Sequence, residues 1–498
     1  MKPAGKDLYE LVHALSPAEK RYFRQFASRH IIGDQNNYLA LFDAVSRQET
    51  FDEAALKQSL QDATFLPYFA VAKRYLHQQI VESLFWFHRA SSKEAQVQQN
   101  LHAADILLDK GLTGQSKKLL KKARKDIYAC ELFRLLPDLL ERERAVMDRT
   151  LYNGLSAQDL DDWEAEWNRA LDYLQQDGRY ACWSSSVAQL HYQKVAVRDQ
   201  TVQQRFETLL NTSPTDTNLS LRAQLDYYKA MSTWHFMNGN AEAACDCNRD
   251  LLQVLETHPF LMEQYPRRYL TALNNYLIDN HQLKRYEALE QGIAKLKTLP
   301  QRAEFRRIPQ LSEKIFELST LLELNAWVGQ RRFEAALKGL PDIQAGLTRY
   351  GKGLALHHKL TFYYLMAYIY FENKRYDDAL TWLNEVLQQP LRDVVEELLR
   401  FANLLKLLTH FELGHYDLLE YLINTVRRQH SLKGALYQTE KLLFSYLKKL
   451  INAAGEKRQR DLFAQLCDKL ETAKAEPDER RVFNYFDFQR WAAQKKQG

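Results

Sequence analysis

Large apolar residues recur at intervals of three and four along most of the chain, which is the spacing of one face of an α-helix. A clear example is the run Leu160, Trp163, Trp167, Leu171 and Leu174. We expect these side chains to form one buried stripe. The acidic residues between them are expected to face solvent: Asp161, Asp162, Glu164 and Glu166. No stretch alternates apolar and polar residues convincingly, so the pattern predicts an all-α protein.

Several helix starts can be located from their capping residues. Ser16-Pro17-Ala18-Glu19 has the form of a capping box with proline at the first helical position. The Thr-x-x-Glu form recurs at Thr50 and Glu53, and Ser156 with Asp159 is a weaker version. Polar breaks predict turns between helices at three places: 211–218, 300–309 and 452–458.

Residues 360–390, LTFYYLMAYIYFENKRYDDALTWLNEVLQQP, form the clearest internal repeat. This stretch resembles a tetratricopeptide repeat over nearly its full length, with Pro390 closing it. Ala367 and Ala379 match the small positions at which the two helices of such a repeat approach closely. Tyr370 and Tyr376 match the aromatic positions on either side of its turn. Weaker copies flank it at 270–299, 317–347 and 400–428, so the resemblance covers about residues 226–428.

The resemblance implies an α-solenoid, in which helical hairpins stack with a right-handed turn, and we expect a separate helical bundle at the N-terminus. The expected division is 1–90 for the N-terminal bundle, 91–225 for off-pattern helical hairpins, 226–430 for the tetratricopeptide-like repeats and 431–498 for capping helices. The chain as a whole also resembles uncharacterised helical proteins of Bacteroidetes-type bacteria, through the segments 15–28, 106–112 and 485–492. That second resemblance implies no activity.

Composition agrees with long helices and excludes several classes of protein. Glycine (17) and proline (12) are scarce among 498 residues, against ordinary usage of about 7% and 5%. The net charge of +5 comes from 68 basic and 63 acidic residues, which permits nucleic-acid binding without indicating it. Five cysteines are too few for a disulfide framework. The N-terminal stretch turns polar within 20 residues, so we expect no signal peptide. The densest apolar run, 363–371, is too short for a membrane helix, so we expect a cytoplasmic protein.

Motifs for metal binding and catalysis are incomplete in this sequence. Glu10 with His13 and Glu412 with His415 have the Glu-x-x-His spacing of helical di-metal sites, but the pairs lie at opposite ends of the chain. The pair Cys245 and Cys247 has no second pair of ligands at zinc-site spacing. We therefore expect no enzyme activity, no metal and no cofactor.

A basic cluster occupies residues 117–125. At roughly 100° per residue its cations share one broad arc of a helix, and apolar residues such as Leu120 and Ile127 occupy the opposite arc. The cluster either solvates the outer face of that helix or docks an acidic protein or a nucleic acid. Its six residues are Lys117, Lys118, Lys121, Lys122, Arg124 and Lys125.

In tetratricopeptide arrays the first helices line a concave groove, so the resemblance implies which residues line a groove here. The expected lining residues are Asn325, Thr361, Tyr364, Tyr368, Phe371, Glu372, Phe401, Leu404 and Leu408, and the same positions include Phe411 and Glu412. Most are apolar or aromatic, which suits an apolar peptide better than the clamp for a terminal carboxylate found in some arrays. The aromatic stretch from Val482 to Trp491 is an alternative occupant, so the groove is either open or filled by the chain itself.

These patterns favour a non-catalytic scaffold or adaptor that holds a protein or peptide in the groove. The alternative is a nucleic-acid or transcription-related binding protein that uses the basic helix at 117–125. We expect a protein or peptide partner and no membrane insertion.

Overall fold

Every regular element in a computed structural model of the chain is helical, within the residues that it describes. These are 5–28, 37–61, 63, 65–89, 92–193, 219–306, 308–388, 396–432, 435–476 and 479–497. The described ranges contain 24 α-helices, four short 3₁₀ turns and no β-strand, which confirms the all-α prediction. The predicted break at 211–218 and Pro390 lie outside the described residues.

Contacts between residues divide the chain into two compact units. Unit 1 comprises Met1–Gln189, Arg198–Tyr227 and His258–Gln264, and unit 2 comprises Leu190–Val197, Tyr228–Thr257 and Tyr265–Gly498. The helices of the first half are α1 (Gly5–Ala14), α2 (Pro17–Ala27), α3 (Asn37–Arg47), α4 (Glu53–Ser59), α5 (Phe69–His88), α6 (Lys93–Asp109), α7 (Thr113–Ala129), α8 (Leu136–Arg149), α9 (Ala157–Tyr192), α10 (Leu221–Met237), α11 (Ala241–Thr257) and α12 (Pro259–Gln264).

The second half of the chain lies in unit 2 and is also helical throughout its described ranges. Its helices are α13 (Pro266–Gln282), α14 (Tyr286–Thr298), α15 (Leu311–Gly329), α16 (Phe333–Tyr350), α17 (Leu356–Glu372), α18 (Tyr376–Leu387), α19 (Glu396–Glu412), α20 (Tyr416–Leu432), α21 (Gln438–Ile451), α22 (Glu456–Ala475), α23 (Arg480–Tyr485) and α24 (Phe488–Gln497). The predicted break at 452–458 contains the turn between α21 and α22.

Local capping signals locate two helix starts correctly and one incorrectly. At α2 the backbone N–H of Ser16 donates to the Glu19 carboxylate at 2.7 Å, and the Ser16 hydroxyl accepts from the N–H of Glu19, so the capping box is confirmed. Ser156 and Asp159 make the equivalent reciprocal bonds. At α4 the cap is Asp52, which accepts from two backbone N–H groups, so the prediction that Thr50 caps this helix was wrong.

Helix α9 buries only part of the stripe that its sequence predicts: Trp163 and Trp167 are half-buried against an apolar cluster of unit 1. Leu160 and Leu171 are 39% and 51% exposed, whereas Glu166, expected in solvent, is 7% exposed. The residues that α9 buries are Glu166, Ala170, Tyr180, Ser184 and Val187. The prediction was wrong for the two leucines and for Glu166, because the spacing of apolar residues does not show that α7 offers Arg124 and Tyr128 as partners for the Glu166 carboxylate.

Turns of one backbone geometry recur in unit 2. The last residue before the reversal is left-handed in each, with φ of 57° at Lys284, 57° at Arg331, 60° at Lys374 and 73° at Gly414. In the turn at Lys374 the N–H of Arg375 donates to the carbonyl of Tyr370 at 3.0 Å, and the other turns have the equivalent bond. This bond closes the end of the first helix and reverses the chain, so the hairpins of unit 2 share a turn as well as a sequence pattern.

The helices of unit 2 pack as consecutive pairs. Contacts join α13 to α14, α15 to α16, α17 to α18 and α19 to α20, and each of α13, α15, α17 and α19 also contacts the helix two places further on. Ala367 of α17 and Ala379 of α18 are both fully buried, as the small positions of the repeat predict. None of the helices in the described ranges is long and apolar enough to cross a membrane.

Candidate binding groove and the segment that occupies it

From Phe362 to Phe371 helix α17 is apolar on every side, so this part of it must be covered on every side. All ten residues from Phe362 to Phe371 are less than 9% exposed. Part of this cover comes from the C-terminal segment, which we define as residues 479–497 and which contains α23 and α24. The face of α17 and α19 that this segment contacts is called the groove below.

Aromatic side chains make the apolar part of the contact between the groove and the C-terminal segment. Tyr485 stacks on Phe401 with ring centroids 4.3 Å apart and an interplanar angle of 25°. Phe486 lies 4.7 Å from the ring of Tyr368 and 5.3 Å from that of Phe371. Phe486 and Phe488 are 1% and 0% exposed, so these rings are removed from water almost completely.

Tyrosines of the groove bond to backbone groups of the C-terminal segment. Residues 486 and 487 lie between α23 and α24, where no helix provides partners for the backbone. The hydroxyl of Tyr364 donates to the carbonyl of Tyr485 at 3.1 Å, and the N–H of Asp487 donates to the hydroxyl of Tyr368 at 3.3 Å. Burial raises the pKa of both groove tyrosines, so both hydroxyls stay protonated and able to donate.

Two buried carboxylates of the groove receive cations and an N–H group from the segment. Glu412, whose side chain is 4% exposed, accepts from the indole N–H of Trp491 at 2.8 Å and from the ammonium of Lys495 at 2.6 Å. Glu372, whose side chain is 7% exposed, forms an ion pair of 3.2 Å with Arg490. Burial raises the pKa of Glu372, and the charge of Arg490 opposes that shift.

Two further polar contacts fix the register of the segment. Arg331, the left-handed residue at the end of α15, donates to Asp487 at 2.8 Å. At the other end, the buried Glu479 accepts from the backbone N–H of Thr439 at 3.0 Å and from its hydroxyl at 2.7 Å, at the N-terminus of α21. A carboxylate there also interacts favourably with the helix dipole.

The groove residues predicted from sequence fall into two sets. The first set contacts the C-terminal segment through the bonds and ring contacts above or, for Phe411, through the ring of Trp491, with centroids 6.0 Å apart. This set consists of Tyr364, Tyr368, Phe371, Glu372, Phe401, Phe411 and Glu412. Leu404 and Leu408 are 1% and 0% exposed within the core. Thr361 and Asn325 bond to carbonyls of their own helices, His357 at 2.8 Å and Leu321 at 2.7 Å.

Arg331 and the charged residues of the C-terminal segment contribute to this contact but were not among the predicted site residues. Asp487 pairs with Arg331, Arg490 pairs with Glu372, and Lys495 pairs with Glu412. The C-terminal stretch has Asp487, Arg490 and Lys495 among or just after its aromatic residues, and the predicted groove positions include two isolated acids. The pairing could have been predicted from these opposite charges.

The predicted basic cluster separates into two environments. Its lysines are all exposed on α7: Lys117, Lys118, Lys121, Lys122 and Lys125. Arg124 is turned inwards, where its guanidinium bonds to both Glu143 and Glu166. The six cations therefore do not form one surface.

Potential metal ligands do not converge in the described ranges. No group of three or more His, Cys, Asp and Glu residues there is placed to hold a metal ion. His415 lies 3.2 Å from His410, ring nitrogen to ring nitrogen, while Glu412 faces Trp491, so Glu412 and His415 point to different neighbours. Burial, with Lys406 and His415, lowers the pKa of His410 to about 4. Cys245 and Cys247 are free thiols.

Comparison with known proteins identifies no relative. The chain matches no protein-family model, no curated protein and no solved structure at a significant level.

Proposed function

We propose that this protein is a non-catalytic interaction scaffold whose unit 2 is a right-handed α-solenoid and whose groove binds a peptide segment of aromatic and basic character. Three features support the solenoid: the sequence repeat at 360–390, the shared turn geometry, and the contacts of each first helix with the next first helix. Stacked hairpins of this kind present one continuous face formed by their first helices.

The observation that carries the proposal is the way in which the groove holds residues 485–491. The groove bonds to the backbone of this stretch through Tyr364 and Tyr368. It also takes aromatic side chains between its helices and pairs buried acids with basic residues. Proteins recognise peptide ligands with the same combination of main-chain bonds and side-chain pockets.

The occupant of this groove in the free protein is the chain's own C-terminal segment. A tethered occupant acts at an effective concentration of about millimolar for a short flexible connection, so an external peptide must bind more tightly or arrive in excess. The scaffold therefore binds its partner by exchange, and the partner's segment carries aromatic residues followed by Arg or Lys.

Exchange can be tested without removing the segment from the folded protein. Residues 477–478 are replaced by the recognition sequence of a site-specific protease, and the purified chain is cleaved. We expect residues 479–497 to stay bound after cleavage and to be displaced by an excess of a labelled synthetic peptide of the same sequence. Anisotropy of the label reports uptake, and circular dichroism reports that the protein remains folded.

The matched control is the same peptide with alanine in place of Phe486 and Trp491. It should displace the segment at least about ten-fold less well, because it lacks two of the buried aromatic anchors. A cleaved segment that never exchanges with the labelled peptide while the protein stays folded would show that the groove is part of the core, and the proposal would fail.

A further inference from the structure

Helix α5 presents an exposed face in unit 1 that shares no residue with the groove. The residues that α5 buries are Phe69, Ala72, Lys73, Leu76, Ile80 and Ser83, which fall on one side of the helix at roughly 100° per residue. The opposite side is exposed along the whole helix, at Val71, Arg74, Tyr75, Gln78, Val81, Glu82 and Phe85. These exposed positions fall within an arc of about 120° centred on Gln78, which we call the α5 face.

Large apolar side chains on the α5 face and beside it are in contact with water. Phe85 is 67% exposed and Val71 is 63% exposed. Tyr75 and Trp86 are 41% and 40% exposed, and Tyr68, directly before the helix, is 72% exposed. Apolar surface of this extent on one helix is unfavourable in water, and it is typical of a surface that binds another macromolecule.

The area of this surface is adequate for a specific dimer. At roughly 200 Å² for a whole aromatic side chain, the exposed parts of the four aromatic residues amount to about 400 Å² per copy. Two copies that face each other therefore bury about 800 Å² from these rings, before the valines and polar side chains are counted. Specific protein interfaces bury roughly 1,200–2,000 Å² in total, so the α5 face with its neighbours reaches the lower end of that range.

The charges of the α5 face are placed symmetrically about its middle. Arg74 lies four residues before Gln78, and Glu82 lies four residues after it. Glu82 accepts a hydrogen bond of 3.3 Å from the neutral side chain of Gln79, and no described residue forms an ion pair with Glu82 or with Arg74. An antiparallel copy exchanges the two ends of the helix, so it brings Arg74 of each copy to the level of Glu82 of the other. At the usual separation of packed helices, about 8–10 Å, these two side chains can meet.

The apolar positions of the α5 face have the same symmetry. Val71 and Phe85 are each seven residues from Gln78, and Tyr75 and Val81 are each three residues from it. An antiparallel copy therefore places apolar residues opposite apolar residues, and the two Gln78 amides meet at the centre, where each can donate to the other. A two-fold axis requires a self-complementary surface of this kind, because every contact occurs twice. The pattern therefore matches a second copy of the same helix better than an unrelated apolar partner.

We propose that the α5 face pairs with the α5 face of a second copy of this chain, in an antiparallel arrangement about a two-fold axis at Gln78. Burial of the exposed rings supplies the free energy of association. The two Arg74–Glu82 pairs fix the direction and the register, because a parallel copy would set Arg74 against Arg74. The interface uses no residue of the groove, so its test is independent of the function proposed above.

Sedimentation equilibrium of the full-length protein measures the association. We expect a reversible equilibrium between one chain and a dimer at protein concentrations up to about 100 μM. Phe85→Ser should weaken dimerisation at least about ten-fold, because it removes a large apolar contact from both copies. The matched control is Tyr421→Ser, which removes a ring of the same 67% exposure from α20 in unit 2 and should change dimerisation less than about two-fold. Circular dichroism reports that both variants remain folded.

Charge reversal tests the antiparallel arrangement. Arg74→Glu and Glu82→Arg should each weaken self-association at least about ten-fold, because each sets like charges against each other in both symmetric pairs. The double variant Arg74→Glu/Glu82→Arg restores both pairs and should dimerise within about three-fold of the parent. A mixture of the two single variants should form a mixed dimer, in which opposite charges face each other again. Arg458→Glu, at an exposed position of α22, is the control and should change dimerisation less than about two-fold.

Three results would each overturn the proposal. These are a monomer at every concentration up to about 100 μM, a dimer that Phe85→Ser does not weaken, and single charge variants that do not associate with each other when mixed. A monomer that binds vesicles of phosphatidylglycerol, with the binding lost in Phe85→Ser, would instead assign the α5 face to a membrane surface.

Discussion

The carboxylate of Glu412 on α19 accepts a hydrogen bond of 2.8 Å from the indole N–H of Trp491, 79 residues further along the chain. Trp491 is 3% exposed, so its N–H has no access to water if this bond is lost. A buried donor without an acceptor costs about 1–3 kcal/mol, which makes this contact a sensitive measure of how firmly the C-terminal segment is held.

A double-mutant cycle at Glu412 and Trp491 should show energetic coupling. Trp491→Phe keeps an aromatic ring and removes the donor, and Glu412→Met keeps the bulk and removes the acceptor. We expect each variant to lower the free energy of unfolding in urea, and the double variant to lose about 1 kcal/mol less than the sum. Glu385→Met, at an exposed position of α18, is the control and should change stability by less than about 0.5 kcal/mol. Strictly additive effects would mean that the bond adds no stability.

The left-handed turn positions predict opposite effects of glycine at two equivalent sites. Lys374→Gly should raise stability by up to about 1 kcal/mol, because glycine adopts φ of 60° without strain. Gly414→Ala should lower it by about 1 kcal/mol, since φ there is 73°. A Cβ at Gly414 would meet no atom within 4 Å, so steric clash cannot explain a loss. Thermal unfolding of both variants is the measurement, and shifts of the same sign would contradict the shared turn geometry.

Asp279 predicts a specific dependence of stability on pH. It is 2% exposed on α13, and burial raises its pKa to about 6 although the side-chain amide of Asn248 donates to it at 2.7 Å. Because the folded pKa lies above the ordinary value of 3.8, the folded protein binds this proton more tightly, and the contribution of Asp279 to stability falls as pH rises from about 4 to 6.

Asp279→Asn removes this titration and keeps the shape of the side chain. We expect the variant to show a flatter stability profile between about pH 4 and 6 and to be more stable than the parent above pH 6, by on the order of 1–3 kcal/mol. Its new amide can also donate to the buried Asn248 oxygen, which has no partner among the described residues. Chemical unfolding across this range is the measurement, with the exposed Asp342→Asn as control. An unchanged profile for Asp279→Asn would show that Asp279 does not titrate in this window.

The buried alanines of the hairpin α17–α18 predict that a larger side chain at these positions lowers the free energy of unfolding. Ala367→Leu should lower the free energy of unfolding by about 1–3 kcal/mol, because a fully buried alanine leaves no room for three more carbon atoms. Ala335→Leu, at an exposed position of α16, should be neutral within about 0.5 kcal/mol. If both substitutions are neutral, Ala367 is not at a close approach of helices. Urea unfolding monitored by circular dichroism distinguishes the two results.

Features set by neighbouring residues in the chain could be predicted well from sequence. The helical content follows from apolar spacing, the start of α2 from Ser16 and Glu19, and the burial of Ala367 and Ala379 from the repeat pattern. Several of the predicted groove positions, among them Tyr364, Tyr368 and Glu412, do contact the C-terminal segment. The helical content, the start of α2 and the burial of the two alanines need only contacts within one helix or one hairpin.

Features set by distant partners could not be predicted in the same way. The sequence left open whether the groove is filled by the chain itself, and the structure answers this with Tyr485 on Phe401 and Trp491 on Glu412. The capping residue of α4 was also misassigned, because Asp52 and Thr50 are both good caps and local preference does not separate them.

The sequence by itself determined that this chain is helical, where α2 and α9 begin, and which residues recur at the small and aromatic positions of the repeat. Only the tertiary structure decided which face of α9 is buried, that Arg124 turns towards Glu143 and Glu166 while its neighbouring lysines stay exposed, and what covers α17. The physical reason is that helix formation depends on the residues of one segment. The burial of a given face, or the pairing of a given charge, depends on free energy gained with residues that lie far away in the chain.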